Sequence, residues 1–151
     1  MKSKPTIKKL EEMMVASTRQ NLPVWEIGKA TRELSEYCEE NGIDITGSPF
    51  AIYYDIEFDP DDADVEVCYQ AVGPFANSGE VRNRILPGGR FATIVHTGSY
   101  ERVGESYQQL FEYIQKKGER IIGPRREVYL VGPHSGKDAS AYETELQFPL
   151  L

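Results

Sequence analysis

The chain has 151 residues, with 40% hydrophobic, 11% aromatic and 27% charged side chains, a composition that fits one globular domain and excludes both disorder and a disulfide scaffold. Seventeen Lys and Arg against 24 Asp and Glu leave a net charge of −7, which argues against a sequence-independent grip on phosphate backbones, so no direct nucleic-acid partner is expected. No apolar run approaches the roughly 20 residues of a membrane span, and the opening MKSKPTIKKLEE lacks the apolar core of a signal peptide, so the chain reads as cytoplasmic with no membrane contact.

A β-rich run over about 12–20 comes first. Asn21 is a candidate N-cap before Pro23, and Val24, Ile27, Thr31, Leu34, Ser35 and Cys38 recur at helical spacing, which predicts a helix over 23–41 ended by Gly42. Strands follow at 49–57 and 65–72, joined by the polar turn DPDDAD at 59–64. A linker around 73–88 carries Gly73-Pro74 and Pro87-Gly88-Gly89. The order then repeats: a strand at 89–97, Ser99 as candidate N-cap, and a helix over 99–117 on the stripe Tyr100, Val103, Tyr107, Leu110, Phe111 and Ile114, with Gly118 past its end. Strands at 125–132 and 142–150 close the chain around the turn PHSGKDAS.

Residues 91–130 align without gaps on residues 15–54 at a constant offset of 76, pairing Gly104 with Gly28, Gly118 with Gly42, Gly123 with Gly47 and Tyr129 with Tyr53. The expectation is a single domain over 1–151 with an α+β fold. It consists of duplicated strand-helix-strand-strand units, about 1–73 and 89–151, with antiparallel sheet, a pseudo-twofold axis and a ligand cleft between the halves.

Several signatures fail on spacing. GPHSGKD lacks the phosphate-loop pattern, neither Gly98-Ser99 nor Gly104-Glu105-Ser106 completes a nucleophile elbow, and DPDDAD lacks the glycine and distal glutamate of a calcium loop. Cys38 and Cys68 form no C-x-x-C pair and read as core thiols, and His96 reads as a structural histidine at a strand end. No metal site and no cofactor are expected. The informative segment is Arg125-Arg126-Glu127-Val128-Tyr129-Leu130. Alternation places Val128 and Leu130 on one face, expected under the helices, and Arg125, Glu127 and Tyr129 on the other; in the first copy Ile52 and Tyr54 take the helix face, with Ala51 and Tyr53 opposite. A cleft holding Glu127, Tyr53, Tyr129 and the small Ala51 suits a flat cation, drawn by the carboxylate and by aromatic faces. Trp25, Tyr142 and Phe91 join the candidate ligand-binding residues. The alternatives are a surface ion pair for Glu127, partial burial or a dimer contact for Trp25, a rim position for Tyr142 and core packing for Phe91.

LPGGRFATIVHTGSYERVGESYQQLFEYI, GPRREVYL and ETELQFPL resemble the GyrI-like small-molecule-binding domain, a family that includes the effector-binding domains of multidrug-responsive bacterial transcription activators. The resemblance covers nearly the whole chain. It implies a duplicated fold with a ligand cleft, bulky aromatic cations as ligands, and Glu127 as the pocket glutamate. Gln70, where the family often has proline, and Ser48-Pro49 depart from the pattern without touching Glu127. About a dozen residues precede the first unit, so a stand-alone member without a helix-turn-helix is expected. The reading is a binding or sequestering protein for hydrophobic, cationic small molecules. Family members imply two alternatives: a hydrolase of reactive cyclopropane-bearing compounds with Glu127 as its catalytic residue, or a modulator of DNA gyrase acting through a protein partner.

Overall fold

The computed structural model describes residues 3–151. The elements run β1 (Thr6–Leu10), β2 (Met13–Leu22), α1 (Ile27–Glu40), β3 (Ile45–Tyr53), β4 (Ala63–Ala71), β5 (Arg82–Leu86), β6 (Gly89–Thr97), α2 (Val103–Lys116), β7 (Arg125–Val131) and β8 (Glu143–Pro149). A single turn of 3-10 helix, Val24–Glu26 or Tyr100–Arg102, leads into each helix. None of the described helices is long and apolar enough to cross a membrane.

The chain divides into two compact units, each an antiparallel sheet with one helix, which makes the fold α+β. In the unit Glu12–Pro87 the strands lie in the order β3-β4-β2-β5. The register places Ala16 opposite Tyr69, and Ala51 and Tyr53 opposite Val67 and Val65. Helix α1 buries Ile27, Ala30, Leu34 and Cys38, one stripe at helical spacing, against the face that carries Tyr69, whose hydroxyl lies near Ser35 and Cys38. Ala51 and Tyr53 therefore lie on the helix side of the sheet and Tyr54 on the other, the reverse of the sequence expectation.

The second unit orders its strands β1-β6-β8-β7 and packs α2 over β6 and β8. Its core joins Ala92 and Ile94 of β6, Leu146 and Phe148 of β8, Leu150 and, from α2, Leu110 and Ile114. β1 opens the chain yet belongs here, paired along β6 from Thr6↔Thr93 to Leu10↔Gly89. A boundary at 1–73 thus differs from the contact pattern, which groups Thr6–Leu10 with 88–151. The linker at 73–88 likewise contains β5, which pairs with β2 from Met13↔Leu86 to Ser17↔Arg82. Both are five-residue edge strands rich in Lys or Arg, charges that discourage pairing with another chain.

The helix ends follow the sequence closely. Gly42 and Gly118 both adopt φ +67°, and the next amides, Ile43 and Glu119, bond to Cys38 O and Ile114 O at 2.9 and 3.1 Å. That is the glycine-dependent C-terminal cap in both copies. The starts differ from expectation: Asn21 lies inside β2, and neither Pro23 nor Ser99, the residues at the cap positions, makes a side-chain cap hydrogen bond.

Candidate functional site

Strand β7 is positioned by its pairing with β8, Glu127 opposite Leu146 and Tyr129 opposite Thr144. Leu146 belongs to the core under α2, so Glu127 and Tyr129 project on the helix side of the sheet, as does Arg125 two residues earlier. The expectation that Val128 and Leu130 face the helix is corrected: Leu130 is 42% exposed. Helix α2 covers β6 and β8, and the same face of β7, beside the helix, carries the polar residues.

Glu127 is 8% exposed. Its Oε2 accepts a hydrogen bond from the Tyr107 hydroxyl of α2, and its Oε1 accepts one of 3.2 Å from Tyr129. Arg125 Nε donates in turn to the Tyr107 oxygen at 3.0 Å, and its guanidinium carbon lies 5.4 Å from the centre of the Tyr107 ring. Two aromatic groups flank the carboxylate. Tyr100 meets Tyr129 edge-on at 6.0 Å and lies against Tyr142 at 5.3 Å. On the other side Tyr107 packs with Phe111 and Phe148 at 6.4 and 6.0 Å. Burial, reinforced by the neighbouring Tyr142 and Glu127 charges, pushes the Tyr100 hydroxyl up to about 12, so it is a neutral phenol at physiological pH.

Of the residues singled out in sequence, Glu127, Tyr129 and Tyr142 come together in this cluster, Tyr142 through Tyr100. Phe91 does not. It alternates with Ala92 and Ile94 on β6 and lies on the face opposite Glu127, buried beneath the Arg126 guanidinium at 4.7 Å. Its assignment to the Glu127 face is therefore corrected. Tyr53 and Trp25 belong to the other unit, where Tyr53 is buried with its ring edge-on to Phe58 at 6.0 Å and Trp25 is 69% exposed. Tyr53 holds in β3 the position Tyr129 holds in β7, and Ala51 that of Glu127, since Ala51 pairs with Val67 as Glu127 pairs with Leu146. Three contributors were missed: Tyr107 and Tyr100, counted with the apolar stripe, and Arg125, given no role beyond its face. The available signal was the hydroxyl, because a half-buried tyrosine generally finds a polar partner.

A second carboxylate, Glu66 on β4, is 3% exposed and lies on the sheet face away from α1. It accepts Ser17 Oγ and Tyr54 OH at 2.5 Å each, Arg84 Nε at 2.8 Å and also Arg84 Nη2. Arg19 stacks on the Tyr54 ring at 3.7 Å. Burial alone would raise the Glu66 carboxyl, yet the bonds from Arg84, Ser17 and Tyr54 outweigh it and hold the group below its usual range. Four donors saturate this carboxylate, so it fastens β5 and β2 to β4. Among the described residues no group of three or more His, Cys, Asp or Glu is placed to hold a metal ion. His96 is spent on structure: Nε2 lies 2.9 Å from Ser99 O, and Nδ1 lies 2.7 Å from Ser106 Oγ.

Over residues 3–151 the sequence matches the GyrI-like small molecule binding domain. The chain belongs to that family. No curated protein matches this GyrI-like domain significantly in sequence. The C-terminal domain of EcmrR superposes on it with a TM-score of 0.86 at 24% identity, over 100% of this chain and 99% of that one. In the EcmrR–DNA complex the TM-score is 0.91 at 24% identity, over 99% of this chain but 58% of the EcmrR chain, so the domain spans little more than half of that protein. A hydrolase encoded by lin2189 from Listeria innocua superposes with a TM-score of 0.75 at 14% identity, over 99% of this chain and 93% of that one. SAV2435, solved bound to tetraphenylphosphonium, gives 0.55 at 13% identity, over 98% and 94% of the two chains. At these identities the likeness is one of fold.

Proposed function

We propose that this GyrI-like domain binds bulky aromatic cations on the helix side of β7, with Glu127 as counter-ion and Tyr129, Tyr142, Tyr100 and Tyr107 as its aromatic surround. One observation carries the reading: a nearly buried carboxylate is held by two phenols, Tyr107 and Tyr129, beside a cluster of tyrosine rings. A cation placed there gains a charge-assisted contact and ring faces worth about 0.5–2 kcal/mol each. The fold likeness to SAV2435 bound to tetraphenylphosphonium supports the ligand class. Calorimetry with tetraphenylphosphonium and neutral triphenylphosphine oxide tests it. Glu127→Gln should weaken the cation roughly 10- to 150-fold, the worth of a hydrogen bond to a charged group, and the neutral compound far less. Equal losses for both compounds remove the counter-ion role. Tyr53→Phe and Trp25→Ala, run alongside, show whether these first-unit aromatics contribute.

A second reading draws on the Tyr107–Glu127 hydrogen bond and on the fold likeness to the Listeria hydrolase. Glu127 takes a proton from water as its oxygen bonds to a strained cyclopropane carbon. The ring carbon–carbon bond breaks, and the departing carbanion takes the Tyr107 proton. The proton on Glu127 then returns to the phenolate along their hydrogen bond, which restores both groups. Multiple turnovers with an activated cyclopropane, lost in Glu127→Gln and in Tyr107→Phe, make the domain an enzyme; stoichiometric binding without product makes it a binder.

A further inference from the structure

We propose that Arg125 makes the Glu127 site selective for zwitterionic aromatic ligands, compounds that carry a carboxylate as well as a cation. The inference rests on the reading of Glu127 as the cation's counter-ion. Arg125 and Glu127 share one face of β7, their Cα atoms two residues and so roughly 7 Å apart, and both touch the Tyr107 hydroxyl, Arg125 as donor to it and Glu127 as acceptor from it. The face therefore presents fixed charges of opposite sign joined by one phenol. A simple cation that approaches Glu127 also meets the guanidinium, which repels it. A ligand with an acid group close to its cation turns that repulsion into attraction, because the arginine fork matches a carboxylate's two oxygens. Both charges are confined to the second half: at the offset of 76 the first half has Pro49 and Ala51 in their places. The dipolar pair is thus a property of β7 and not of the repeated scaffold.

Rhodamine B, whose carboxylate is ionised at neutral pH, and its ethyl ester, which keeps the cation alone, separate the two charges. Fluorescence anisotropy at low ionic strength reads both affinities. The wild-type protein should bind rhodamine B at least five-fold more tightly than the ester. Arg125→Gln should bring that ratio to one or below while the ester still binds, and Arg125→Lys, which keeps the charge without the fork, should fall between. The added bulk of the ester is the same for every variant, so it does not change with residue 125. A wild-type ratio of one or less, or a preference that survives Arg125→Gln, overturns the proposal. Failure of the underlying reading looks different: the ester then binds Glu127→Gln as tightly as the wild type, whatever the ratio. If Arg125→Gln does not fold, the wild-type ratio and the Arg125→Lys ratio decide the matter.

Discussion

The Tyr107 hydroxyl donates to Oε2 of Glu127, so α2 and β7 meet at the carboxylate through a phenol and not through apolar packing. Tyr107 also accepts from Arg125, which makes one side chain the relay between two opposite charges. Tyr107→Phe keeps the ring contacts with Phe111 and Phe148 and deletes only the relay. The expected cost is about 1–3 kcal/mol, because a buried acceptor loses its donor. Urea unfolding measures it, and an unchanged midpoint would mean that solvent replaces the phenol.

Glu66 gives the first unit an acid-sensitive fastening. Its folded carboxyl sits below the ordinary value of about 4.3. The stabilisation is therefore fully present above that ordinary value and lost as pH falls through the lower folded one. Glu66→Gln should destabilise the protein by about 1.5–3 kcal/mol at neutral pH, since Arg84, Ser17 and Tyr54 then lose a charged acceptor. It should also flatten the stability profile below about pH 4. Thermal melts across that range report both effects, and an equally steep profile in the variant would shift the acid sensitivity to other carboxyls.

At the alkaline end the sign is set by Tyr100. Its hydroxyl, raised by burial and by the nearby Tyr142 and Glu127 charges to about 12, holds its proton more tightly folded than unfolded. The contribution is complete below the ordinary value of about 10 and is lost as pH rises from there through 12. Tyr100→Phe should show a flatter stability profile in that window than the wild type, and phenolate absorbance should reveal one late-titrating tyrosine fewer.

Thr144 carries a different expectation. It is fully buried between His96 on β6 and Tyr129 on β7, and its hydroxyl has no hydrogen-bond partner among the described residues. Thr144→Val keeps the shape and removes an unsatisfied group that costs about 1–3 kcal/mol. Stability should hold or rise. A clear loss in calorimetric melting temperature would reveal a partner for that hydroxyl in solution.

Sequence periodicity located both helices because each leaves several signals at once: a stripe, a glycine at the left-handed end and a flanking strand. The strand pattern also grouped Arg125, Glu127 and Tyr129 correctly, as it did Ala51 and Tyr53. It misassigned the face that the helix covers. A period of two says which residues share a side, not what lies above it, and apolar Val128 and Leu130 looked like the helix-facing pair. Only tertiary placement shows that α2 stops over β6 and β8 and leaves β7 to polar chemistry. Phe91 was misplaced by the same error. β1 and β5 escaped notice because five-residue edge strands such as Thr-Ile-Lys-Lys-Leu carry too few apolar positions to show a period.

The seat of β1 beside β6 also sets an order of events during synthesis. Ile7 leaves the ribosome 85 residues ahead of its partner Ala92. At about 5–20 residues per second the wait is of the order of 4–17 seconds. In that interval β2 through β5 can complete their own sheet, while β1 trails from it as an unpaired segment. β1, made before β2 to β5, thus docks after them, and its lysines keep the waiting edge soluble until β6 arrives.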